Sequence, residues 1–408
     1  MKYNYLAKSL NGVPKSEVAE AKDEHELAKI LRQEGYLLIS AEPESKGKSL
    51  AKLNNLQIPF IKRGVSSVEK IMFTRNLRVI VSAGISLPKA LTTLSMQTKN
   101  NKFKNILLAI AEEVTKGKNF SEAISGYPAV FPEIFVSMVK AGEESGTLEQ
   151  SLDVLGLQME KQYELKSKIK GAMIYPLVIM SAMAVIGILQ LVLVVPQLAK
   201  TFKELGVDLP ITTRIVIAFG TFVANFWYLI PVLVVILFFG LRFFAKTAFG
   251  KKTQDTLFLK IPFISSIIKK TNAAYTVRTL GALISSGVPI VRSLEITAET
   301  LGNTYYKNAI SGAAEEIKKG SKLSQFLSNY QDIYPPLVVQ MLSVGEETGQ
   351  TSDILTKLAD FYEEEVSRAT KDLSVIIEPL LMIIVGTLVG FFVVSMMQPM
   401  YGMLQSIK

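Results

Sequence analysis

Two acidic pairs, Glu143-Glu144 and Glu346-Glu347, are the residues of this sequence whose type and spacing could form a chemical site. Glycines enclose both pairs, in Gly142 to Gly146 and, 203 positions later, in Gly345 to Gly349. Such carboxylates could contact a cation or the basic surface of a partner protein. Metal sites built from oxygen ligands usually need more acids at closer spacing, so we favour a turn between two helices in which Gly146 is left-handed. Partner binding by the four glutamates is the alternative.

Most other site chemistry is excluded by composition, because the chain has no cysteine and one histidine. Disulfides, thiolate nucleophiles and Cys/His zinc clusters are therefore absent. His25 lies in a charged helical run, which indicates a solvated surface histidine. The segment Gly47-Lys48-Ser49 lacks the earlier glycine of a phosphate-binding loop. We predict no catalytic residue, no metal and no cofactor.

The repeat that relates the two acidic motifs extends over most of the chain without a gap. The matching residues at the same offset are Ile58-Pro59-Phe60-Ile61 with Ile261-Pro262-Phe263-Ile264, Arg75 with Arg278, Gly84 with Gly287, Tyr127 with Tyr330, Pro132 with Pro335, and Pro176 with Pro379. A duplicated unit therefore occupies about residues 58 to 199 and again 261 to 402.

Three windows without charge indicate a membrane protein. They are 171–199, 215–241 and 379–407. The whole chain is 49% hydrophobic and 20% charged, and its net charge is +9. Each exceeds the roughly 20 apolar residues that cross a bilayer as a helix. We predict transmembrane helices at 171–199, 215–241 and 374–402. The lysines flank these windows, so we expect the chain to bind the lipid bilayer and no nucleic acid.

The remaining segments predict an all-α fold with one small addition. Residues 1–45 have the pattern of an α+β module, 46–65 of a linker, and 66–170 and 262–373 of two homologous helical bundles. Ser66 and Glu69 form a predicted capping box at the start of the first bundle. Thr147 with Gln150 should cap the helix after the first acidic motif, and Thr351 or Ser352 should cap its copy.

The distribution of basic residues predicts the orientation. The flanks 156–170, 242–256 and 360–374 carry four, four and two Lys or Arg, and the other side has only Lys200, Lys203, Arg214 and Lys408. Positive residues concentrate on the cytoplasmic side of membrane proteins. We therefore predict that the N-terminus and both bundles are cytoplasmic and that the loop 200–214 is external.

Within the membrane windows, Tyr175-Pro176 and Glu378-Pro379 occupy matching positions, and each proline should bend its helix. Glu378 is the only acid inside a predicted span. Its carboxylate could reach the cytoplasmic interface near Lys371, or it could contact a membrane-embedded partner. Both interpretations remain open at this point.

These residues resemble the type II secretion F family, and more narrowly its inner-membrane platform members from type IV pilus systems. The resemblance rests on the two Gly-Glu-Glu-Ser/Thr-Gly motifs, the turns Gly84 to Pro88 and Gly287 to Ile290, Tyr175-Pro176 and three spans. It implies six-helix cytoplasmic bundles, an inner-membrane location and a homo-oligomer. It also implies partners: a cytoplasmic hexameric assembly ATPase, pilin or pseudopilin subunits, and other inner-membrane assembly proteins. Glu378 stands where the first copy has Tyr175, so the motif alone assigns it no role.

A membrane transporter or membrane enzyme is the alternative function. Transporters usually have more spans, with polar groups or broken helices near the midplane. Only Gln190 and Asn225 are such polar groups in the windows, and both could form hydrogen bonds between helices. Solute transport or turnover by the purified protein would favour this alternative over a scaffold.

Overall fold

The structure is a computed structural model, and it describes residues 2–9, 14–43, 64–204, 210–226 and 228–406. The predicted linker lies outside the described residues except for Gly64 and Val65. Ile58-Pro59-Phe60-Ile61, Gly47-Lys48-Ser49 and residues 205–209 of the predicted external loop also lie outside them. The chain divides into two units, Met1–Arg63 and Gly64–Lys408.

The N-terminal unit is the expected α+β module. Its elements are β1 (Lys2–Ser9), β2 (Pro14–Glu20), α1 (Glu24–Gln33) and β3 (Tyr36–Pro43). The three strands form an antiparallel sheet in the order β2-β1-β3, with an irregularity between Leu6 and Ala7. Asp23 caps α1 by accepting a hydrogen bond from the amide of Glu26, and Leu27 of that helix is buried. His25 is exposed, as predicted.

The first bundle consists of six helices. They are α2 (Ser67–Ser82), α3 (Leu87–Gln97), α4 (Asn101–Thr115), α5 (Phe120–Ser125), α6 (Glu133–Ser145) and α7 (Leu148–Ala172). The predicted capping box is confirmed, since Ser66 Oγ accepts from the Glu69 amide and Glu69 accepts from the Ser66 amide. Hydrogen bonds from Ser66 lower the pKa of Glu69. Leu77, Leu107 and Ile110 are among the fully buried core residues.

The second bundle repeats this arrangement. Its helices are α13 (Ile264–Ser285), α14 (Ile290–Thr300), α15 (Thr304–Lys318), α16 (Leu323–Leu327), α17 (Pro336–Thr348) and α18 (Thr351–Ser406). The core positions correspond at the same offset: Leu280, Ile310 and Ala313 are buried where the first bundle has Leu77, Leu107 and Ile110. The two stripes therefore bury equivalent faces after the duplication.

Within the described part of the chain, two helices are long and apolar enough to cross a membrane. One extends α7 through α8 (Ile174–Leu189), a π-helical segment (Gln190–Val194) and α9 (Val195–Glu204), with an interruption at Met173. The other is α18, which has 56 residues. Pro176 lies in the first turn of α8, just after the interruption, whereas α18 continues as a helix through Pro379.

The window 215–241 differs from the single helix that we expected. It contains the end of α10 (Ile211–Asn225) and the start of α11 (Leu229–Phe244), separated by a break that begins at Phe226. Asn225 is the last residue of α10, so the polar residue in the apolar window marks the break. After α11 the chain bends by 97° into α12 (Ala248–Lys260).

The apolar helices pack together at one small cluster. Val195, Phe202, Val216 and Met396 bring α9, α10 and α18 into contact. Gly220 allows this approach, because a Cβ there would lie 2.6 Å from Val195 Cγ1. Many of their other large apolar side chains are exposed, Leu177, Val234 and Ile383 among them, as expected for helices that meet lipid.

Candidate functional site

The acidic motifs form the turns between α6 and α7 and between α17 and α18. Gly146 and Gly349 both have φ +72°, the left-handed conformation that favours glycine. The expected capping box at Thr147 is wrong: its hydroxyl lies 2.6 Å from that of Ser145 and makes no cap hydrogen bond. In the second copy Thr351 donates to the carbonyl of Gly345 instead. Glycine conformation, rather than a side-chain cap, defines this turn.

Gly142 and Gly345 have a different role, which is close packing of the helices on either side of the turn. A Cβ at Gly142 would lie 2.5 Å from the hydroxyl oxygen of Ser151, and one at Gly345 would lie 3.1 Å from Thr351 Cα. Each motif therefore contains one glycine for backbone conformation and one for helix contact. Only the first of these roles was predicted from the sequence.

The carboxylates of Glu143 and Glu346 point into their own bundles. Glu143 accepts hydrogen bonds from the amides of Phe120 and Ser121, at 2.6 and 2.8 Å. Glu346 does the same for Leu323, at 2.6 Å, and Ser324, at 3.3 Å. These amides begin the short helices α5 and α16, so each glutamate supplies the missing cap and its negative charge interacts favourably with the helix dipole. The geometry gives these two residues a structural role.

Glu144 and Glu347 are the outward members of the pairs. Glu144 is exposed and lies 3.8 Å from Lys140, while Glu347 is exposed and accepts from Ser343 at 3.2 Å. Glu378 is also exposed on α18 and does not meet either pair in the contacts described. The structure therefore does not assemble the five predicted glutamates into one site. Among the described residues, no three acidic or histidine side chains form a potential metal cluster.

The two bundles pack directly on each other. Helices α6 and α7 contact α14, α13 and α18. In this contact Gln158 donates to Thr279 at 3.1 Å in a buried position, Glu133 pairs with Arg292, and Lys161 lies 3.7 Å from Glu363. Ala282 and Val288 of the second bundle join the core cluster of the first. The bundles thus share a continuous core, which the sequence analysis did not predict.

An Arg–Glu pair occurs in both bundles at matching positions. Arg75 pairs with Glu160 at the surface, whereas Arg278 donates to Glu363 at 2.8 Å and also pairs with Asp360, with only 7% of the Arg278 side chain exposed. Burial alone would lower the pKa of Arg278, but hydrogen bonds to the two carboxylates raise it above its usual value. The signal was present in the sequence, since both members recur at the 203-residue offset.

An open groove lies between the bundles. It has a volume of about 940 Å³ and is lined by Glu133, Lys140 and Glu144 of the first bundle and by Pro289 and Arg292 of the second, among others. Its charges are mixed, and Glu133 and Arg292 neutralise each other within it. This groove contains one of the predicted partner-binding residues, Glu144. Its counterpart Glu347 does not line it.

Comparisons with known proteins agree with the duplicated fold. The family model described as type II secretion system (T2SS), protein F matches residues 73–196 and 276–399, which are 203 positions apart. Type IV pilus assembly protein PilC of Thermus thermophilus is 36% identical over 406 residues, covering 100% of this chain and 99% of the relative. Type II secretion system protein F of Xanthomonas campestris is 28% identical over 408 residues, covering 99% of each. The chain therefore belongs to the type II secretion system protein F family.

Proposed function

We propose that this protein is an inner-membrane platform of a type IV pilus or type II secretion machine, and that it couples a cytoplasmic hexameric ATPase to the polymerisation of pilin or pseudopilin subunits. Relatives that match nearly the whole chain carry names from both machines. Other inner-membrane assembly proteins complete the set of partners. The chain transmits motion in this proposal and catalyses no reaction.

The observation that carries the proposal is the direct continuation of each bundle into an apolar helix. The last helix of the first bundle begins the helical stretch Leu148–Glu204, which contains an apolar segment, and α18 continues from the second bundle into its own apolar segment. A helix of 56 residues is about 84 Å long. Movement of the second bundle therefore displaces its membrane helix, because a packed helix behaves as a rigid lever over such a length. In the first copy the connection contains the interruption at Met173.

The proposal places both bundles and the N-terminus on the cytoplasmic side. The copies are parallel, so the chain must cross the membrane once more between the first apolar helix and the second bundle. Helices α10 and α11 supply that third crossing, with the break after Asn225 inside it. A cysteine at Thr201, which is exposed, should then react with an impermeant maleimide in intact cells, and one at Ser125 should not. The opposite labelling pattern would invert the orientation.

Mechanical coupling is tested by inserting a flexible segment into the helix that joins each bundle to its membrane helix. A seven-residue Gly/Ser segment inserted after Lys170 or Lys371 should preserve membrane insertion and ATPase binding but abolish filament assembly, because such a segment is flexible. A seven-residue helical insertion rich in alanine and lysine at the same place is the matched control, since it adds nearly two whole turns and keeps the helix rigid. Normal assembly with the flexible insertion would show that the protein is a passive anchor.

A further inference from the structure

Helix α12 is held nearly at a right angle to α11 by specific contacts at the corner between them. The angle between the two helices is 97°. Thr247 donates to the carbonyl of Phe244 at 2.7 Å and accepts from the amide of Gly250 at 3.0 Å. Gly250 is buried, and a Cβ there would collide with the carbonyl oxygen of Phe244. The corner therefore requires glycine at this position and has a defined shape.

The corner also shows which side of α12 is directed toward α11. Each residue of a helix is turned by about 100° from the one before it, so Thr253 and Leu257 lie on the same side as Gly250. Gly250 packs against the end of α11, and α11 enters the bilayer in the proposed topology. The side of α12 that carries Thr253 and Leu257 therefore faces the membrane surface, and both residues are exposed.

The opposite side of α12 is attached to the second bundle. Asp255 accepts from the amide of Thr304 at 2.8 Å, which joins α12 to the start of α15. The hydroxyls of Thr256 and Tyr305 lie 2.7 Å apart. Leu259 packs against the core of the second bundle. Helix α12 therefore lies between the second bundle and the membrane.

Apolar side chains occur on the membrane-facing side of α12 and next to it. Leu257 is 56% exposed. Phe249 and Phe258 lie on either side of the row from Gly250 to Leu257 and are 75% and 37% exposed. Helices that lie in the plane of a membrane surface carry such residues, because these reach the boundary between headgroups and acyl chains.

Four exposed basic residues surround the corner, and we call them the corner cluster. They are Arg242, Lys246, Lys251 and Lys252. The sequence has no acidic residue between Asp208 and Asp255. No member of the corner cluster takes part in an ion pair among the residues that the structure describes. Basic residues next to a membrane helix are attracted to anionic lipids in the cytoplasmic leaflet.

We propose that α12 lies on the cytoplasmic surface of the bilayer and that the corner cluster binds the phosphates of anionic phospholipid headgroups. Two observations select this partner: α12 continues directly from a helix that enters the bilayer, and the cluster has the opposite charge to the headgroups. The contact holds the second bundle against the membrane, because Asp255 and Leu259 attach α12 to that bundle. The inference rests on the proposed crossing by α10 and α11.

The position of α12 can be measured in the full-length chain, which has no cysteine of its own. Thr253→Cys carries a fluorescent nitrobenzoxadiazole label in vesicles of phosphatidylcholine, part of which bears a nitroxide near the headgroup. We expect strong quenching of this label. Ser125→Cys in the first bundle is the control, since Ser125 is also exposed, and its label should be quenched little. Equal quenching at the two positions would show that α12 lies away from the bilayer and would overturn the proposal.

The same label at Thr253 measures the preference for anionic lipid. Nitroxide phosphatidylglycerol, at the same fraction, should quench it more than nitroxide phosphatidylcholine. Lys251→Gln with Lys252→Gln should lower this preference about fivefold or more, since one basic residue near an anionic bilayer contributes a factor of about five. Lys99→Gln with Lys102→Gln removes the same charge from exposed positions of the first bundle and should leave the preference unchanged.

Two results would contradict the binding of anionic headgroups. One is equal quenching by the two lipids, and the other is a preference that Lys251→Gln with Lys252→Gln does not lower. These measurements involve neither the ATPase nor filament assembly, so their failure leaves the proposed platform function intact. A wrong orientation of the chain is detected separately, by maleimide labelling of the cysteine at Thr201 in intact cells.

Discussion

The cores of the two bundles fill equivalent positions with side chains of different polarity. Phe73, Phe103 and Phe131 form a cluster of rings in the first bundle, with centroids 5.4 to 6.3 Å apart. The second bundle has Thr276, Tyr306 and Tyr334 at these positions. The two tyrosine rings stack edge to face at 5.0 Å.

The hydroxyls of Thr276, Tyr306 and Tyr334 each have a partner. Tyr334 and Thr276 share a hydrogen bond of 3.0 Å, and Tyr306 donates to the backbone carbonyl of Ile333. Thr276 itself donates to the carbonyl of Asn272 at 2.8 Å. A buried hydroxyl without a partner costs about 1–3 kcal/mol, so Tyr334 depends on Thr276, whereas Tyr306 and Thr276 themselves use backbone carbonyls. The second bundle accommodates these polar side chains because each of the three hydroxyls is hydrogen-bonded.

The first prediction is that high pH destabilises the second bundle more than the first. Burial raises the pKa of Tyr306, Tyr334 and Tyr362, the last to about 12. Tyrosines in the unfolded chain ionise near pH 10, so the second bundle should be fully stable below about pH 10 and lose stability as pH rises through 12. Above about pH 10 each of these tyrosines lowers the free energy of unfolding by up to about 1.4 kcal/mol per pH unit. The three together therefore lower it by up to about 4 kcal/mol per pH unit.

A cysteine at Ala111 or at its counterpart Ala314, both buried, reports the opening of each bundle through its labelling rate. Between pH 10 and 11 labelling at Ala314→Cys should accelerate far more than at Ala111→Cys, where phenylalanines and Met159 replace the three tyrosines. Tyr334→Phe should remove about one third of this pH dependence. Equal acceleration in both bundles would mean that tyrosine ionisation is not the cause.

The second prediction concerns the Arg–Glu pairs. Arg278→Met should destabilise the second bundle by about 3 kcal/mol, because Glu363 is then left in a mostly buried position with only Lys161 nearby. Arg75→Met should cost about 0–1 kcal/mol, since that pair is solvated.

The same thiol labelling measures the loss, and a double variant sharpens the test. Arg278→Met with Glu363→Gln should recover most of the stability, because no unpaired charge remains. The interpretation is contradicted if the variants at Arg278 and Arg75 have equal effects.

The third prediction concerns a substitution that gives the first core a tyrosine found in the second. Phe131→Tyr should destabilise the first bundle by about 2 kcal/mol, because its hydroxyl would meet the ring of Phe73 where the second bundle offers Thr276. Adding Phe73→Thr restores that partner but creates a cavity. A double-mutant cycle should therefore give a favourable coupling of about 1 kcal/mol between the two changes. Zero coupling would show that the hydroxyl pair does not explain the difference between the cores.

The local features of the fold could be predicted from the sequence. The Ser66 capping box, the left-handed Gly146 and the equivalent helical stripes depend on residues close in the chain, and the structure contains all three. The duplication doubled the information, since each pattern occurred twice. The break after Asn225 was missed because an apolar window records hydropathy and is insensitive to a local interruption.

Long-range contacts could not be predicted in this way. Glu143 caps a helix that begins 23 residues earlier, and its role depends on how α5 and α6 fold together. A weak signal existed: Lys322, the residue before α16, has no acceptor in its side chain, so that helix needed a cap from elsewhere. The contact between the bundles was also missed, because Gln158 and Thr279 are polar and lie 121 positions apart.

The last prediction is that one pair of positions behaves identically in the two bundles. Gly146→Ala and Gly349→Ala should each cost about 1 kcal/mol, because an L-residue at φ +72° is strained. A Cβ at either position meets no atom within 4 Å, so the backbone conformation alone determines the loss. Thiol labelling at Ala111→Cys measures the destabilisation of the first bundle, and labelling at Ala314→Cys measures that of the second. The two losses of unfolding free energy should agree within about 0.5 kcal/mol, the usual error of such comparisons. Gly142→Ala is the contrasting variant, since its Cβ would collide with Ser151, and it should cost more than Gly146→Ala. A clear difference between Gly146→Ala and Gly349→Ala would mean that surrounding packing influences the turn, and that the duplicated bundles have diverged even where their backbone geometry coincides.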